Sequence, residues 1–152
     1  AGLLRDRPAA RLIVLTPEAQ AAQRMLTALP QERVLCRAAR HGEVNGYLNA
    51  ADFGFLLRDR SPVNHVAFPT KFAEYALTGL KVIMKDDPPS CVDAGRSLGA
   101  YVSAEAVAAA TPETGTRGDR ALQARATMGR RANVGIYSEI YRSLDSAARA
   151  TG

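Results

Sequence analysis

The sequence has no tryptophan, and aromatic residues make up only 6% of it. Proteins that hold single-stranded nucleic acid usually stack bases on aromatic rings along a basic groove. Here the 20 lysines and arginines outweigh 15 acids to give a net charge of +5, but they are scattered rather than gathered into a stripe. Nucleic acid is therefore not an expected partner. Cys36 and Cys91 are the only cysteines, too few and too far apart for a disulfide framework or a structural zinc site. His41 and His65, the only histidines, complete no ligand spacing, so neither a metal nor a cofactor is expected. His41 reads as a helix cap or surface group. No apolar run approaches the ~20 residues that a membrane-spanning helix needs. The first residue is Ala1 rather than Met, and no leader with a charged start and an apolar middle follows it; a soluble, cytoplasmic chain is expected.

What is present is an alternation of short apolar runs and amphipathic stretches. With 152 residues, 47% hydrophobic and 23% charged, the chain is one domain's worth and can bury a sizeable core. Residues 1–8 read as the tail of a helix. LIVL within 11–16, closed by Pro17, reads as a buried strand. A helix over 18–29 would place Ala22, Met25, Leu26 and Leu29 on one face. Residues 33–37 form the second strand, 38–42 a loop, and 44–51 a helix with Val44, Tyr47, Leu48 and Ala51 inward. FGFLL from Phe53 is the third strand and 58–68 a loop. Further on, 91–98 reads as a helix, 99–102 as a strand and 103–110 as a helix capped by Ser103. This order predicts an α/β fold, a Rossmann-like parallel sheet flanked by helices. Residues 1–110 would form the core, the polar 111–118 a mobile linker, and 119–152 a helical segment packing back on the core. In that segment Ile136, Ile140, Tyr141 and Leu144 make the strong apolar stripe.

The chemistry concentrates in SPVNHVAFPTKFAEYALTGLKVIMKD, residues 61–86. Pro69 suits a first helical turn, where its missing N–H has no partner anyway, and Thr70 can cap that turn. Phe72, Ala73, Ala76 and Leu77 share one face; Lys71, Glu74, Tyr75 and Thr78 share the other, left free to bind. Gly79 stands where a left-handed C-terminal residue is wanted, and Val82 to Met84 read as a strand covered on both sides. The positive end of such a helix attracts anions, and Lys71 adds a mobile charge there, so phosphate is the natural ligand. Glu74, one turn on, is an acceptor-only carboxylate suited to the two hydroxyls of a ribose. Asn64 and His65 can hydrogen-bond in either direction and are candidates for sugar hydroxyls, although loop polarity accounts for them equally well.

Pro69, Lys71, Glu74, Tyr75, Gly79, Val82 and Ile83 match the P-x-K-x-x-E-Y-x-x-x-G-x-x-V-I pattern, and the region from Arg11 to Asp86 resembles the nucleotide-sugar-binding half of retaining GT-B glycosyltransferases. The resemblance implies donor binding with diphosphate at Thr70 and Lys71 and ribose at Glu74. It places the backbone near Ala39 along the base edge, with Arg37 or Arg40 near the ring. It also implies an acceptor-binding domain outside this chain, an acceptor such as a glycan or lipid-linked saccharide, and peripheral contact of the basic surface with anionic lipid at the inner membrane face. The chain alone is then not expected to turn over. Many members carry a second Glu eight positions before the ribose Glu to contact the donor sugar; Val66 stands there, and one branch of the family with the P-x-K-x-x-E-Y form also lacks that Glu. The family's diphosphate-binding Arg and Lys lie on a first strand and loop ahead of what matches Ala1. In the Rossmann order that strand is central, so the sheet is expected to show a gap. A nucleotide-binding or protein-interaction domain without transfer activity is the alternative reading.

Overall fold

In the computed structural model, which describes residues 2–113 and 115–129, short strands alternate with helices from end to end. The order is α1 (Gly2–Asp6), β1 (Leu12–Leu15), α2 (Ala19–Met25), β2 (Val34–Arg37), α3 (His41–Ala50) and β3 (Phe53–Leu56). It continues through α4 (Pro62–Val66), α5 (Thr70–Leu77), β4 (Lys81–Met84), α6 (Pro89–Ser97), β5 (Tyr101–Ser103) and α7 (Arg117–Met128). All pairings are parallel, and they form two small sheets, β1-β2 and β3-β4-β5. The α/β class and the helix-flanked parallel arrangement are as expected and compatible with a Rossmann-like fold. Among the described residues the strands fall into two sheets, with no pairing between β1 and β3, in keeping with the expected gap.

The core sits around β4. Val82, Ile83 and Met84 are buried, as their unbroken apolar run requires, and Phe72 and Ala76 of α5 with Cys91 of α6 form one core cluster with Val82 and Met84. Removing Phe72 from water is worth about 1.5–3 kcal/mol. α5 ends in a left-handed turn at Gly79, φ +72°. The Gly79 N–H donates to the Ala76 carbonyl at 2.9 Å and the Leu80 N–H to the Tyr75 carbonyl at 3.0 Å, the double bond of a Schellman stop. A Cβ on Gly79 would also lie 2.3 Å from the Arg117 carbonyl oxygen, so glycine is required twice over.

α7 locks this unit from outside. Arg117 donates to the Ala51 carbonyl at 2.7 Å, the Leu48 carbonyl at 2.9 Å and the Thr78 carbonyl at 3.1 Å. One guanidinium thus satisfies the Ala51 and Thr78 carbonyls, which have no other donor among the described residues, and shares the Leu48 carbonyl with the Ala51 N–H, at the C-terminal ends of α3 and α5 where the helix dipoles favour a cation. Arg120, buried, donates to the Gly79 carbonyl at 3.2 Å and pairs with Glu113 at 3.2 Å. Glu113 also pairs with Lys81; the Lys81 and Thr116 hydrogen bonds hold its carboxyl below the usual range.

Several expectations are corrected. α7 begins inside the span read as a linker, and Glu113, Thr116 and Arg117 tie that span to the core. The helix over 18–29 stops at Met25, whose side chain is 85% exposed, so its apolar stripe does not pack as drawn. α3 starts earlier than Val44, at His41, because Glu43 accepts the Arg40 N–H at 2.8 Å. Residues 58–68 contain the short helix α4, whose Ser61 hydroxyl caps by accepting the Asn64 N–H at 3.1 Å. Residues 104–109 form successive turns rather than a helix, with i to i+3 bonds such as Ala106 N–H to the Ser103 carbonyl at 3.0 Å. Ile136, Ile140, Tyr141 and Leu144 lie outside the described residues.

Candidate functional site

The strands of β3-β4-β5 run parallel, so the loops leaving β3 and β4 rise at one edge of that sheet, where ligands of open α/β sheets bind. After β3 come Asn64 and His65 in α4 and then the start of α5. Arg37 is the last residue of β2, and Ala39 follows it, in the other sheet.

The start of α5 is open. Pro69, not Thr70, is the capping residue, with φ −62° and ψ 133°, and no side chain caps the helix. Thr70 occupies the first helical position and its hydroxyl does not serve as the cap. The Phe72 N–H returns to the Pro69 carbonyl at 3.0 Å, which leaves the N–H groups of Thr70 and Lys71 without partners among the described residues. Uncapped N–H groups at a helix start are anion ligands. The Lys71 and Glu74 side chains are exposed, and neither makes a hydrogen bond or ion pair within the described residues. Tyr75 does not share that free face. Its ring lies so close over Gly54 of β3 that a Cβ there would sit 2.6 Å from it, and its hydroxyl reaches the Phe55 carbonyl at 3.5 Å. Burial, and then the Glu74 charge, raise its phenol above the ordinary value.

Asn64 spends its amide inside its own loop. Its Oδ1 accepts from Arg58 at 2.8 Å and its Nδ2 donates to the Asp59 carbonyl at 2.7 Å. It shapes α4 and holds Arg58. His65 is placed differently: its Nδ1 lies 2.8 Å from Asp87 Oδ1, with the imidazole 52% exposed and the carboxylate 7% exposed. An ionised carboxylate only accepts, so Nδ1 carries the proton and Nε2 is left for a further partner. Asp87 is the residue that sequence reasoning missed, because DDPPS reads as a plain turn. Its second oxygen is buried and has no partner among the described residues. The signal lay in its burial beside α4, which a linear sequence does not display. Arg37 is exposed and Ala39 half-buried, and among the described residues the Arg37 side chain makes no hydrogen bond or ion pair with α4 or α5.

Among the described residues no cluster of three or more His, Cys, Asp or Glu side chains could hold a metal ion, and no helix is long and apolar enough to cross a membrane. Comparison with protein-family models, with curated proteins and with solved structures found no match to this chain.

Proposed function

We propose that the chain is the donor-binding domain of a GT-B glycosyltransferase and holds a nucleoside-diphosphate sugar at the start of α5. The observation that carries this reading is the uncapped α5 terminus. Two backbone N–H groups, the Lys71 ammonium and the Glu74 carboxylate stand within two helical turns, without partners among the described residues, beside the parallel sheet β3-β4-β5. A diphosphate would take the N–H groups and Lys71; the ribose diol would take Glu74, whose two oxygens accept both hydroxyls. In transfer, negative charge grows on the departing diphosphate, and the same donors would stabilise it as it forms. His65, steadied by Asp87, offers Nε2 to a donor hydroxyl or phosphate oxygen. Arg37 and Ala39 would border the base. The acceptor, whether glycan or lipid-linked saccharide, would be presented by a separate acceptor domain, with basic side chains meeting anionic headgroups at the cytoplasmic membrane face. No cofactor or metal is assigned to the site.

Calorimetric titration with a panel of nucleoside diphosphates tests the assignment. Saturable binding is expected for one base. Glu74→Ala should weaken it ~10–100-fold, the loss of hydrogen bonds to a charged acceptor. Lys71→Ala should weaken all diphosphates alike and flatten the salt dependence. Failure of every nucleoside diphosphate to bind at millimolar concentration would refute the reading. A second reading, nucleotide binding without transfer, is favoured by Val66, an 81% exposed apolar side chain where many of the resembled enzymes place a sugar-binding carboxylate. Binding of nucleoside diphosphates with no preference for their sugar conjugates would select it.

A further inference from the structure

His65 and Asp87 make the one histidine–carboxylate pair among the described residues, and the fold sets it beside the start of α5. Ala67, Phe68 and Pro69 alone separate α4 from α5. The Phe68 ring stands edge-on to Phe72 of α5, with centroids 5.5 Å apart, so this connector is held against the helix it precedes. From the other side Asp87, between β4 and α6, fixes the imidazole by its Oδ1, 2.8 Å from Nδ1. An ionised carboxylate has room for about four donors. This one meets a single donor among the described residues, and its Oδ2 is buried without a partner. Its charge is therefore directed at the imidazole alone. Leaving a buried oxygen unmet costs ~1–3 kcal/mol, a cost that a tether made by an exposed carboxylate would avoid.

Other groups at this edge that could take up a proton are occupied. Asp86 accepts the Tyr101 hydroxyl at 2.8 Å, Asp59 pairs with Lys85 at 3.4 Å, and Glu105 is bonded to Ser103. Glu74 stands where the ribose is placed. Burial pushes the Cys91 thiol up to about 11, and burial followed by the Glu74 charge raises the Tyr75 phenol, so both keep their protons at neutral pH. His65 differs from all of these. With Nδ1–H turned to Asp87, Nε2 presents a lone pair that has no partner among the described residues, on a ring that is half exposed. A neutral imidazole oriented through Nδ1 by a buried carboxylate, with Nε2 open, has the geometry of a general base.

We propose that His65 is a catalytic general base, which takes the proton of the attacking hydroxyl in sugar transfer, and that Asp87 is its positioning residue. This rests on the donor-site reading above. In the step, the oxygen of an acceptor hydroxyl, or of water, bonds to the anomeric carbon as its proton passes to Nε2. The bond from that carbon to the diphosphate oxygen breaks, and the electron pair leaves on the diphosphate, where the Thr70 and Lys71 N–H groups and the Lys71 ammonium receive it. Asp87 faces the positive charge that the ring then carries, and the imidazolium returns its proton to solvent. One base-assisted displacement inverts the anomeric centre. On this point the chain would part from the retaining enzymes that it resembles.

Water is the acceptor available to the full chain alone, so slow hydrolysis of a nucleoside-diphosphate sugar tests the proposal. The donor is a sugar conjugate of the nucleoside diphosphate that binds in calorimetry, and nucleoside-diphosphate release is followed at saturating donor. His65→Ala should lower that rate at least ~100-fold, and added imidazole should restore part of it by supplying the missing base. Asp87→Asn should lower it ~100-fold or more without rescue by imidazole, because the amide can donate to Nδ1 and move the proton to Nε2. Nitrogen NMR of the His65 ring should show that exchange of tautomers. His65→Gln, at a half-exposed position, keeps the test open if Asp87→Asn does not fold. Proton NMR before mutarotation should find the released sugar inverted. The proposal is overturned if nucleoside diphosphates bind but no sugar conjugate is hydrolysed, or if His65→Ala and His65→Gln hydrolyse as fast as the unaltered chain. Retention at the anomeric carbon overturns it too, and both of these results leave donor binding standing. If no nucleoside diphosphate binds, the donor-site reading fails and the proposal with it.

Discussion

Gly54→Ala isolates the contact that fixes α5 against the sheet. Gly54 lies in β3 with an ordinary backbone angle, since Gly79 and Gly99 alone have positive φ among the described residues. Alanine therefore meets no conformational penalty there and would even favour the strand. What it meets is the Tyr75 ring, with three ring atoms at 2.6–2.8 Å from the new Cβ. The ring is anchored by its own helix and cannot swing as a flexible chain end would, so ring and helix must shift together. Overpacking of this kind costs about 1–3 kcal/mol. Urea unfolding followed by circular dichroism should show a lower midpoint at unchanged slope. The decisive step is the double-mutant cycle. On a Tyr75→Ala background the obstacle is gone, so Gly54→Ala should cost less than ~0.5 kcal/mol, and the cycle should return a coupling of ~1–3 kcal/mol. Equal costs on both backgrounds would refute the claim that Gly54 exists to seat Tyr75. Because Glu74 precedes Tyr75 on the same turn, Gly54→Ala should also weaken nucleoside-diphosphate binding, and on the Tyr75→Ala background, where nothing displaces the helix, it should cause no further loss.

Gly79→Ala should destabilise by more than ~2 kcal/mol, because it adds a 2.3 Å approach to the Arg117 carbonyl to the strain of φ +72°; Gly99→Ala, at φ +62° with open space around it, should cost only the ~1–2 kcal/mol of a left-handed alanine. Thermal and urea midpoints of the two variants compare them directly, and equal losses would remove the steric part of the argument. Arg117→Ala strands the carbonyls of Ala51 and Thr78, removes one of two donors from the Leu48 carbonyl and should cost ~2–4 kcal/mol by urea unfolding. Arg117→Lys should recover little, because one ammonium cannot span three acceptors as a planar fork does; a loss under ~0.5 kcal/mol for either would contradict the capping role. Burial pushes the Cys91 thiol from 9.0 up to about 11, with the Ser90 hydrogen bond and the Arg58 charge offsetting part of it. The unfolded chain then releases this proton first, so stability is intact below pH 9 and declines by ~2–3 kcal/mol as pH rises toward 11. Urea midpoints across that window should fall less steeply in Cys91→Ala, and native-state thiol labelling at pH 8 should reach Cys36 alone.

Local order was written in the residues. LIVL, FGFLL and Val82–Met84 read as strands because their apolar runs are short, β-branched or aromatic, and bounded by turn residues, and Gly79 ended its helix because no other residue takes φ +72° cheaply. Lys71 and Glu74 were legible as site candidates because helical spacing and the helix dipole act over a few residues. Three other features came from contacts between residues far apart in sequence. Tyr75 left the free face once Gly54, 21 positions earlier, opened room beneath its ring. Asp87 became the partner of His65, 22 positions away. A polar stretch that reads as a linker became a clamp when Arg117 reached carbonyls 66 and 69 positions back. Sequence by itself determined that strands alternate with helices and which apolar runs are strands, since breakers and hydrophobic period are local; element ends at Met25 and His41 and the short helix α4 were settled only in the fold. Tertiary structure decided which polar groups stay free for a ligand and which are consumed in holding the fold, and it left β1 and β3 unpaired. Those outcomes depend on which backbone groups meet in space, and hydrogen bonding between distant segments has no signature in either segment alone.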